Sequence, residues 1–193
     1  MKQVTKLETN LADCYILEPD RYGDSRGYFS PYFLQENLDE LGFERVVQAN
    51  RSLSEKGVLR GMHYQLDPKC QAKIVEVLNG AAIDVVVDMR IDSPTYGQYT
   101  AVELTGNNNR QLFVPRGFAH GFLSLEDNTL FQYLIDNDFS KAHEGGIPWN
   151  DPTINIPWRD MMDKYGIEEP LLSPKDTEHE PFVRTRKIFT RNR

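Results

Sequence analysis

The sequence has few of the residues that build disulfides or metal centres. Its 193 residues include two cysteines, Cys14 and Cys70, and four histidines. The cysteines form no CxxC pair and have no zinc-binding spacing, so we expect two free thiols in a reducing compartment. An apolar run of 18 residues and an apolar leader are also lacking, so we expect a cytoplasmic protein without a membrane span. The net charge of −7 argues against nucleic acid as the main partner.

Short segments of alternating apolar and polar residues occupy most of the chain between residues 44 and 135. Polar turns separate these segments about every eight to twelve residues, which is typical of an antiparallel sandwich or barrel, including the jelly roll. Within "KIVEVLNGAAIDVVVDMR" (73–90), Asn79-Gly80 predicts a hairpin between two strands. The length and composition predict one domain over residues 1–193.

Helical patterns are few and short. "SPYFLQENLDELGF" (30–43) places Pro31 after a potential N-cap, Ser30, and repeats apolar residues at helical spacing up to Gly42. We therefore predict one helix from Ser30 to Gly42, with further short helices near "RDMMDKYG" and "SPKD". The basic tail, residues 183–193, is predicted to be solvated or paired with a partner.

The segment "GVLRGMHYQ" (57–65) places an arginine and a histidine in a predicted strand. Residues two apart share a face of a strand, so strict alternation would separate Arg60 from His63. A bend at Gly61 would allow both side chains to reach one site. Taken alone, a histidine such as His63 is more often structural than functional.

A second histidine lies in "VPRGFAHGF" (114–122). His120 shares a strand face with Phe118 and Phe122, and a histidine between inward-facing aromatic rings must be hydrogen-bonded or functional. Asp84, within an apolar strand, is a candidate partner that would orient this ring.

These two segments are similar to the metal-binding motifs of cupin-type jelly rolls, but they are incomplete. Gln65 stands where a second ligand histidine would be needed, so a three-histidine metal site is hard to assemble. We therefore expect no metal and no cofactor. Histidine, lysine, tyrosine and arginine in a dry pocket suit a different chemistry, the removal of a proton next to a carbonyl group.

Nine segments together resemble the dTDP-4-dehydrorhamnose 3,5-epimerase family of the cupin superfamily. In chain order they are "DSRGYF" (24–29), "VQANRS" (47–52), "GVLRGMHYQ" (57–65), "QAKIVEVLNG" (71–80), "DVVVDMR" (84–90), "SPTYG" (93–97), "QLFVPRGFAHGFLSL" (111–125), "GIPWNDP" (146–152) and "LSPKD" (172–176). The resemblance implies an all-β jelly roll of the cupin type with a few short helices. It also implies a homodimer that exchanges N-terminal strands.

The resemblance further implies a cofactor-independent epimerase acting at C3 and C5 of dTDP-4-dehydro-6-deoxy-D-glucose. His63 resembles the general base and Asp176 its paired carboxylate. Lys73 resembles the group that stabilises the enolate oxygen, and Tyr133 the acid that returns a proton from the other face. The implied substrate-binding residues are Arg26, Phe29, Gln48, Asn50, Ser52, Arg60, His120 and Asp84, with Arg26 and Phe29 serving the neighbouring subunit.

Three positions depart from the family pattern. Pro31 replaces a glutamate, while Leu134 and Phe139 replace a lysine and a tyrosine. The first departure leaves the nucleotide preference open, and the loss of a tyrosine hydroxyl at position 139 leaves open how far reaction proceeds at C3. The alternatives are therefore a mono-epimerase of a related deoxysugar pathway and a non-catalytic sugar-nucleotide-binding jelly roll.

Overall fold

Strands make up most of the regular structure in the computed structural model, which describes residues 1–185 and 189–191. The strands are β1 (Val4–Glu8), β2 (Tyr15–Pro19), β3 (Tyr22–Asp24), β4 (Gly27–Phe29), β5 (Gln48–Ser54), β6 (Leu59–Gln65), β7 (Lys73–Asn79), β8 (Ala81–Asp88), β9 (Tyr99–Thr105), β10 (Gln111–Val114), β11 (Phe118–Ser124), β12 (Thr129–Ile135) and β13 (Glu144–Gly146). The helices are α1 (Gln35–Glu40), α2 (Trp158–Lys164) and the 3₁₀ turns Lys141–His143, Pro174–Thr177 and Phe182–Arg184. None of the described helices is long and apolar enough to cross a membrane.

Two antiparallel sheets form the body of the protein. The six-stranded sheet has the order β1-β2-β10-β7-β12-β5, and the five-stranded sheet has the order β13-β6-β11-β8-β9. Strands β3 and β4 form a separate two-stranded hairpin. The all-β class with a few short helices is confirmed.

Apolar side chains from both sheets pack between them. Val75 and Phe131 come from the six-stranded sheet, and Val86 and Phe122 from the five-stranded sheet. The rings of Phe122 and Phe131 stack with their centroids 4.1 Å apart. Burying each such aromatic ring contributes about 1.5–3 kcal/mol, so this inner layer holds the two sheets together.

The outer faces of both sheets are covered as well. On β8, Val85 and its alternate neighbours face away from the inner layer and pack against Trp158 and Met162 in the C-terminal segment. On the six-stranded sheet, Ile74 packs against Phe43, which follows α1. Strand β8 is therefore buried on both faces, which is why its sequence is an almost unbroken apolar run.

Two local predictions were wrong. Helix α1 begins at Gln35 rather than at Ser30, and the Ser30 hydroxyl donates instead to the Asp20 carbonyl oxygen at 2.8 Å. Asn79-Gly80 does not join a hairpin, because β7 and β8 belong to different sheets. Gly80 has a φ of +79°, and a Cβ there would lie 2.6 Å from Thr129 Oγ1, so glycine is required at this crossover.

Other local predictions were confirmed. Helix α2 and the 3₁₀ turn Pro174–Thr177 lie where "RDMMDKYG" and "SPKD" predicted them. Both cysteines are buried and free. In the basic tail, residues 186–188 and 192–193 lie outside the described residues, while Arg191 forms an ion pair with Asp13 at 2.8 Å.

Candidate active site

A cavity of about 430 Å³ is lined by side chains from both sheets and from the C-terminal segment. It contains nine of the twelve predicted site residues, which are Gln48, Asn50, Ser52, Arg60, His63, Lys73, His120, Tyr133 and Asp176. A tenth, Asp84, lies behind His120 and reaches the cavity through it. The fold therefore brings together residues that are up to 128 positions apart in the sequence.

His63 on β6 forms a dyad with Asp176 in the 3₁₀ turn. The His63 Nε2 and Asp176 Oδ1 atoms are 2.6 Å apart. Asp176 is 2% exposed and also accepts hydrogen bonds from the Ser173 hydroxyl and the Gly61 backbone N–H. Burial alone would raise the pKa of Asp176, but the hydrogen bonds from His63 and Ser173 hold it well below its usual range. The carboxylate is thus a permanent anion that can stabilise a protonated His63.

Arg60 and His63 reach the same cavity because β6 is irregular between them. The pairing of β6 with β11 shifts register between His120 and Phe122, opposite Gly61. A Cβ at Gly61 would lie 2.5 Å from the Gly121 Cα, so the two backbones can approach only because both residues are glycine. The predicted bend at Gly61 is therefore confirmed by this register shift.

Lys73, His120 and Asp84 form a polar cluster in the inner layer. His120 Nε2 and Asp84 Oδ1 are 2.7 Å apart, and Asp84 Oδ2 is buried without a hydrogen-bond partner among the described residues. Burial lowers the pKa of Lys73 from 10.5 to about 8, against the attraction of Asp84. Burial also raises the pKa of Asp84 and lowers that of His120, so His120 is a neutral donor or acceptor near neutral pH. This cluster can bind and stabilise a developing oxyanion.

Tyr133 lies on β12 of the six-stranded sheet, whereas His63 belongs to the five-stranded sheet. Burial raises the pKa of Tyr133, so its hydroxyl remains protonated well above neutral pH. The cavity thus has an imidazole on one sheet and a protonated phenol on the other.

Strand β5 presents a row of polar side chains to the cavity. Gln48, Asn50 and Ser52 are two residues apart and share a face of the strand. The Gln48 amide donates to Asn50 Oδ1 at 2.6 Å, and Ser52 Oγ is buried without a described partner. These groups can donate to and accept from a polar ligand.

Arg26 and Phe29 are not brought to this cavity. They lie on the β3–β4 hairpin, where Arg26 pairs with Asp24 at 2.6 Å and Phe29 is 69% exposed. Within the described residues of one chain, neither side chain lines the cavity.

The cavity also contains residues that the sequence reasoning missed. Lys175 forms an ion pair with Glu144 at 2.8 Å, and both line the cavity. Lys175 and Ser173 lie inside the recognised segment "LSPKD", so the signal for them was present. Glu144 carried no such signal, because only its pairing with β6 brings β13 to the site.

The departures at positions 134 and 139 differ in their structural effect. Leu134 is buried among the apolar residues that cover the outer face of the six-stranded sheet, so it points away from the cavity. Phe139 lines the cavity and is 52% exposed. The replacement at position 139 is therefore the one that changes the cavity wall.

One group of side chains could hold a metal ion. Among the described residues, His63, Asp176 and His179 are the one set of three whose potential ligand atoms all lie within 4.8 Å of one another.

Comparison with known proteins decides the family. Residues 8–184 match the sequence model of dTDP-4-dehydrorhamnose 3,5-epimerase. The chain belongs to this family. A Shigella flexneri protein of that name is 45% identical over 92% of this chain and 95% of its own length. The fold is correspondingly the cupin-type jelly roll that the sequence predicted.

Two solved structures are also similar. The dTDP-6-deoxy-D-glucose-3,5-epimerase RmlC from Legionella pneumophila, in complex with dTDP-4-keto-L-rhamnose, is 38% identical with a TM-score of 0.88, covering 98% of this chain and 99% of that one. The 3'-monoepimerase ChmJ from Streptomyces bikiniensis, in complex with dTDP-quinovose, is 33% identical with a TM-score of 0.81, covering 91% and 86%.

Proposed function

We propose that this protein epimerises dTDP-4-dehydro-6-deoxy-D-glucose at C3 and C5, giving dTDP-4-dehydro-L-rhamnose for dTDP-L-rhamnose biosynthesis. The observation that carries the proposal is the His63–Asp176 dyad, which shares one cavity with Lys73 and Tyr133. Family membership supports it, since the relatives with the name 3,5-epimerase match nearly the whole chain. The reaction proceeds without a cofactor, because these side chains supply the base, the acid and the positive charge.

The first step removes the proton on the carbon next to the C4 ketone. The His63 Nε2–H donates to Asp176, so the Nδ1 lone pair accepts the substrate proton and the carboxylate stabilises the imidazolium. Electrons from the broken C–H bond move into the ring, and negative charge develops on the C4 oxygen. Lys73 stabilises this oxygen as an ammonium group, and neutral His120 adds a hydrogen bond.

The second step returns a proton from the opposite face. Tyr133 donates its hydroxyl proton to the carbon, the C4 ketone forms again, and the configuration is inverted. Solvent then restores the tyrosine proton and removes the one on His63. The same two steps act at C5 and at C3.

The rest of the cavity suits the nucleotide part of the substrate. Arg60 carries a guanidinium group that can form paired hydrogen bonds with the diphosphate. The β5 row of Gln48, Asn50 and Ser52 offers amide and hydroxyl groups along the same cavity.

We further propose that the chain forms one domain and works as a homodimer that exchanges N-terminal strands. In this arrangement, Arg26 and Phe29 on the exposed β3–β4 hairpin contact the nucleotide in the partner's cavity. The exposure of Phe29 supports this, since a large aromatic side chain that is 69% exposed suits a buried position in an assembly. The two free cysteines support a cytoplasmic location.

Exchange of ring protons with solvent tests the proposed chemistry. The protein is incubated with the dTDP-4-keto sugar in deuterium oxide, and proton NMR follows label at C3 and C5. We expect His63→Asn to abolish exchange at both carbons, because the amide of asparagine cannot take up the proton. Tyr133→Phe should slow turnover more than exchange, because proton removal still occurs.

The control is His143→Asn, which changes a histidine outside the cavity that contacts Ser140. It should exchange like the unchanged protein. Wild-type exchange in His63→Asn would refute the assignment of the base. Binding of the sugar nucleotide without exchange of any ring proton would favour a non-catalytic binding protein instead.

A mono-epimerase is the second candidate. The structural similarity to the monoepimerase ChmJ and the phenylalanine at position 139 favour it. The same NMR experiment separates the two, because a mono-epimerase inverts one carbon only.

A further inference from the structure

We propose that His63, Asp176 and His179 form an inhibitory site for a divalent transition-metal ion such as Zn²⁺. We refer to these three residues as the His–Asp–His site. The binding part of the proposal depends only on the structure, while the inhibitory part also rests on the proposed role of His63 as the base.

The three residues already converge on a small volume. The His63 Nε2 and Asp176 Oδ1 atoms are 2.6 Å apart, and the rings of His63 and His179 lie edge to face with centroids 5.4 Å apart. Bonds of about 2.0–2.1 Å to a tetrahedral Zn²⁺ would put the ligand atoms about 3.3 Å from one another. Replacing the shared proton by an ion thus requires His63 and Asp176 to separate by less than about 1 Å.

His179 has no other partner for its inner nitrogen. Its Nε2 is buried and makes no hydrogen bond among the described residues, a condition that usually has a specific cause. The ring packs over Gly146, where a Cβ would lie 2.6 Å from both Cε1 and Nε2. Because Gly146 is paired with His63 in the sheet, this packing holds the His179 ring beside His63.

The donor set suits a borderline metal ion. Two imidazoles and one carboxylate are ligands that Zn²⁺ and neighbouring transition metals prefer. Asp176 is oriented by the Ser173 hydroxyl and by the Gly61 N–H, which act as outer supports for the ligand.

An ion at this position would block the proposed base. Zn²⁺ binds the lone pair of Nε2, and the proton that Nε2 shared with Asp176 moves through solvent to Nδ1, so the imidazole stays neutral. Because Nδ1 then carries this proton, it has no lone pair for the substrate. No redox change or further reactant is involved.

Calorimetric titration of the chelator-treated protein with ZnCl₂ tests binding without any need for turnover. We expect the wild type to bind one Zn²⁺ ion. In His179→Gln the affinity should be at least about tenfold weaker, because mutating even a residue that only supports a metal ligand typically costs about 10–100-fold in affinity. His143→Gln is the matched control and should bind as the wild type does. His179→Asn, with circular dichroism of both variants, separates loss of a ligand from loss of the fold.

Inhibition is measured as the Zn²⁺ concentration that halves the exchange rate, relative to each variant's own metal-free rate. We expect this concentration to rise at least about tenfold in His179→Gln, in step with its affinity. Absence of a site in the wild type, or unchanged affinity in folded His179 variants, would overturn the proposal. Binding without slower exchange would overturn its inhibitory part. A wild type that exchanges nothing even without metal refutes the proposed function, while calorimetry still decides the metal site.

Discussion

The charge on Lys73 gives a sharp test of the proposed mechanism. Burial lowers the pKa of this ammonium group from 10.5 to about 8. At about 1.4 kcal/mol per unit, this corresponds to a cost of about 3 kcal/mol for keeping the charge in the cavity. We infer that the protein accepts this cost because the ammonium group stabilises the enolate oxygen.

The change is Lys73→Met, which keeps the length of the side chain and removes the charge. Loss of one group that stabilises an oxyanion typically lowers kcat by about 10²–10³-fold, and we expect a decrease of that size. In the wild type, kcat/KM should fall as the pH rises through about 8, because only protonated Lys73 is active. That decrease should be absent in Lys73→Met.

The same change affects stability with a definite sign. The pKa of Lys73 is lower in the folded than in the unfolded protein, so the unfolded chain binds more protons between pH 8 and 10.5. The folded wild type therefore gains stability as the pH rises through that window. Lys73→Met removes the cost at pH 7, and we expect its free energy of unfolding to increase by up to about 3 kcal/mol.

The assay is the rate of exchange at C5 between pH 6 and 10, followed by NMR, with urea unfolding for stability. The control is Lys69→Met, which changes a lysine that pairs with Asp138 outside the cavity. It should keep both the rate and the decrease above pH 8. If Lys73→Met retained that decrease, another group would be titrating and the reasoning about Lys73 would be refuted.

Two further predictions concern Asp176 and Arg26. Asp176→Asn should reduce exchange by on the order of 10³-fold, because an amide neither stabilises the imidazolium nor fixes the tautomer of the imidazole. Asp160→Asn on α2 is the control. A decrease of less than about tenfold in Asp176→Asn would argue against the dyad. Arg26→Ala should raise KM, and mixing it with inactive His63→Asn should restore about a quarter of wild-type activity, because half of the dimers would hold one intact cavity. Activity no higher than the average of the two variants would contradict the sharing of Arg26 between subunits.

The sheets and most of the cavity could be predicted from the sequence because their signals are local or recognisable. The apolar run of β8 indicated a strand, and the recognised segments contained most of the residues that line the cavity. The convergence of Arg60 with His63 could be only half predicted. Glycine at position 61 indicated a bend, but its register against Gly121 depends on a strand about 60 residues away.

The errors have physical reasons. Ser30 had the sequence of an N-cap, yet its hydroxyl binds the Asp20 carbonyl oxygen, and this tertiary contact keeps residues 30–34 out of the helix. Asn79-Gly80 had the sequence of a tight turn, and the chain does turn there. A turn signal does not specify whether the next strand pairs with its predecessor or crosses to the facing sheet.

That crossing between β7 and β8 has a consequence for how the enzyme is made. From β6 to β8, and again from β10 to β13, each strand joins the sheet opposite to the one that its predecessor occupies. Within these two runs, neither sheet grows by pairing strands that are neighbours in sequence. Long loops must therefore close before the strands can pair, and refolding should be slow and all-or-none. Since Lys73 and Tyr133 lie on one sheet and His63 and His120 on the other, a partly folded chain has no catalytic centre. Recovered turnover is therefore a direct measure of completed folding.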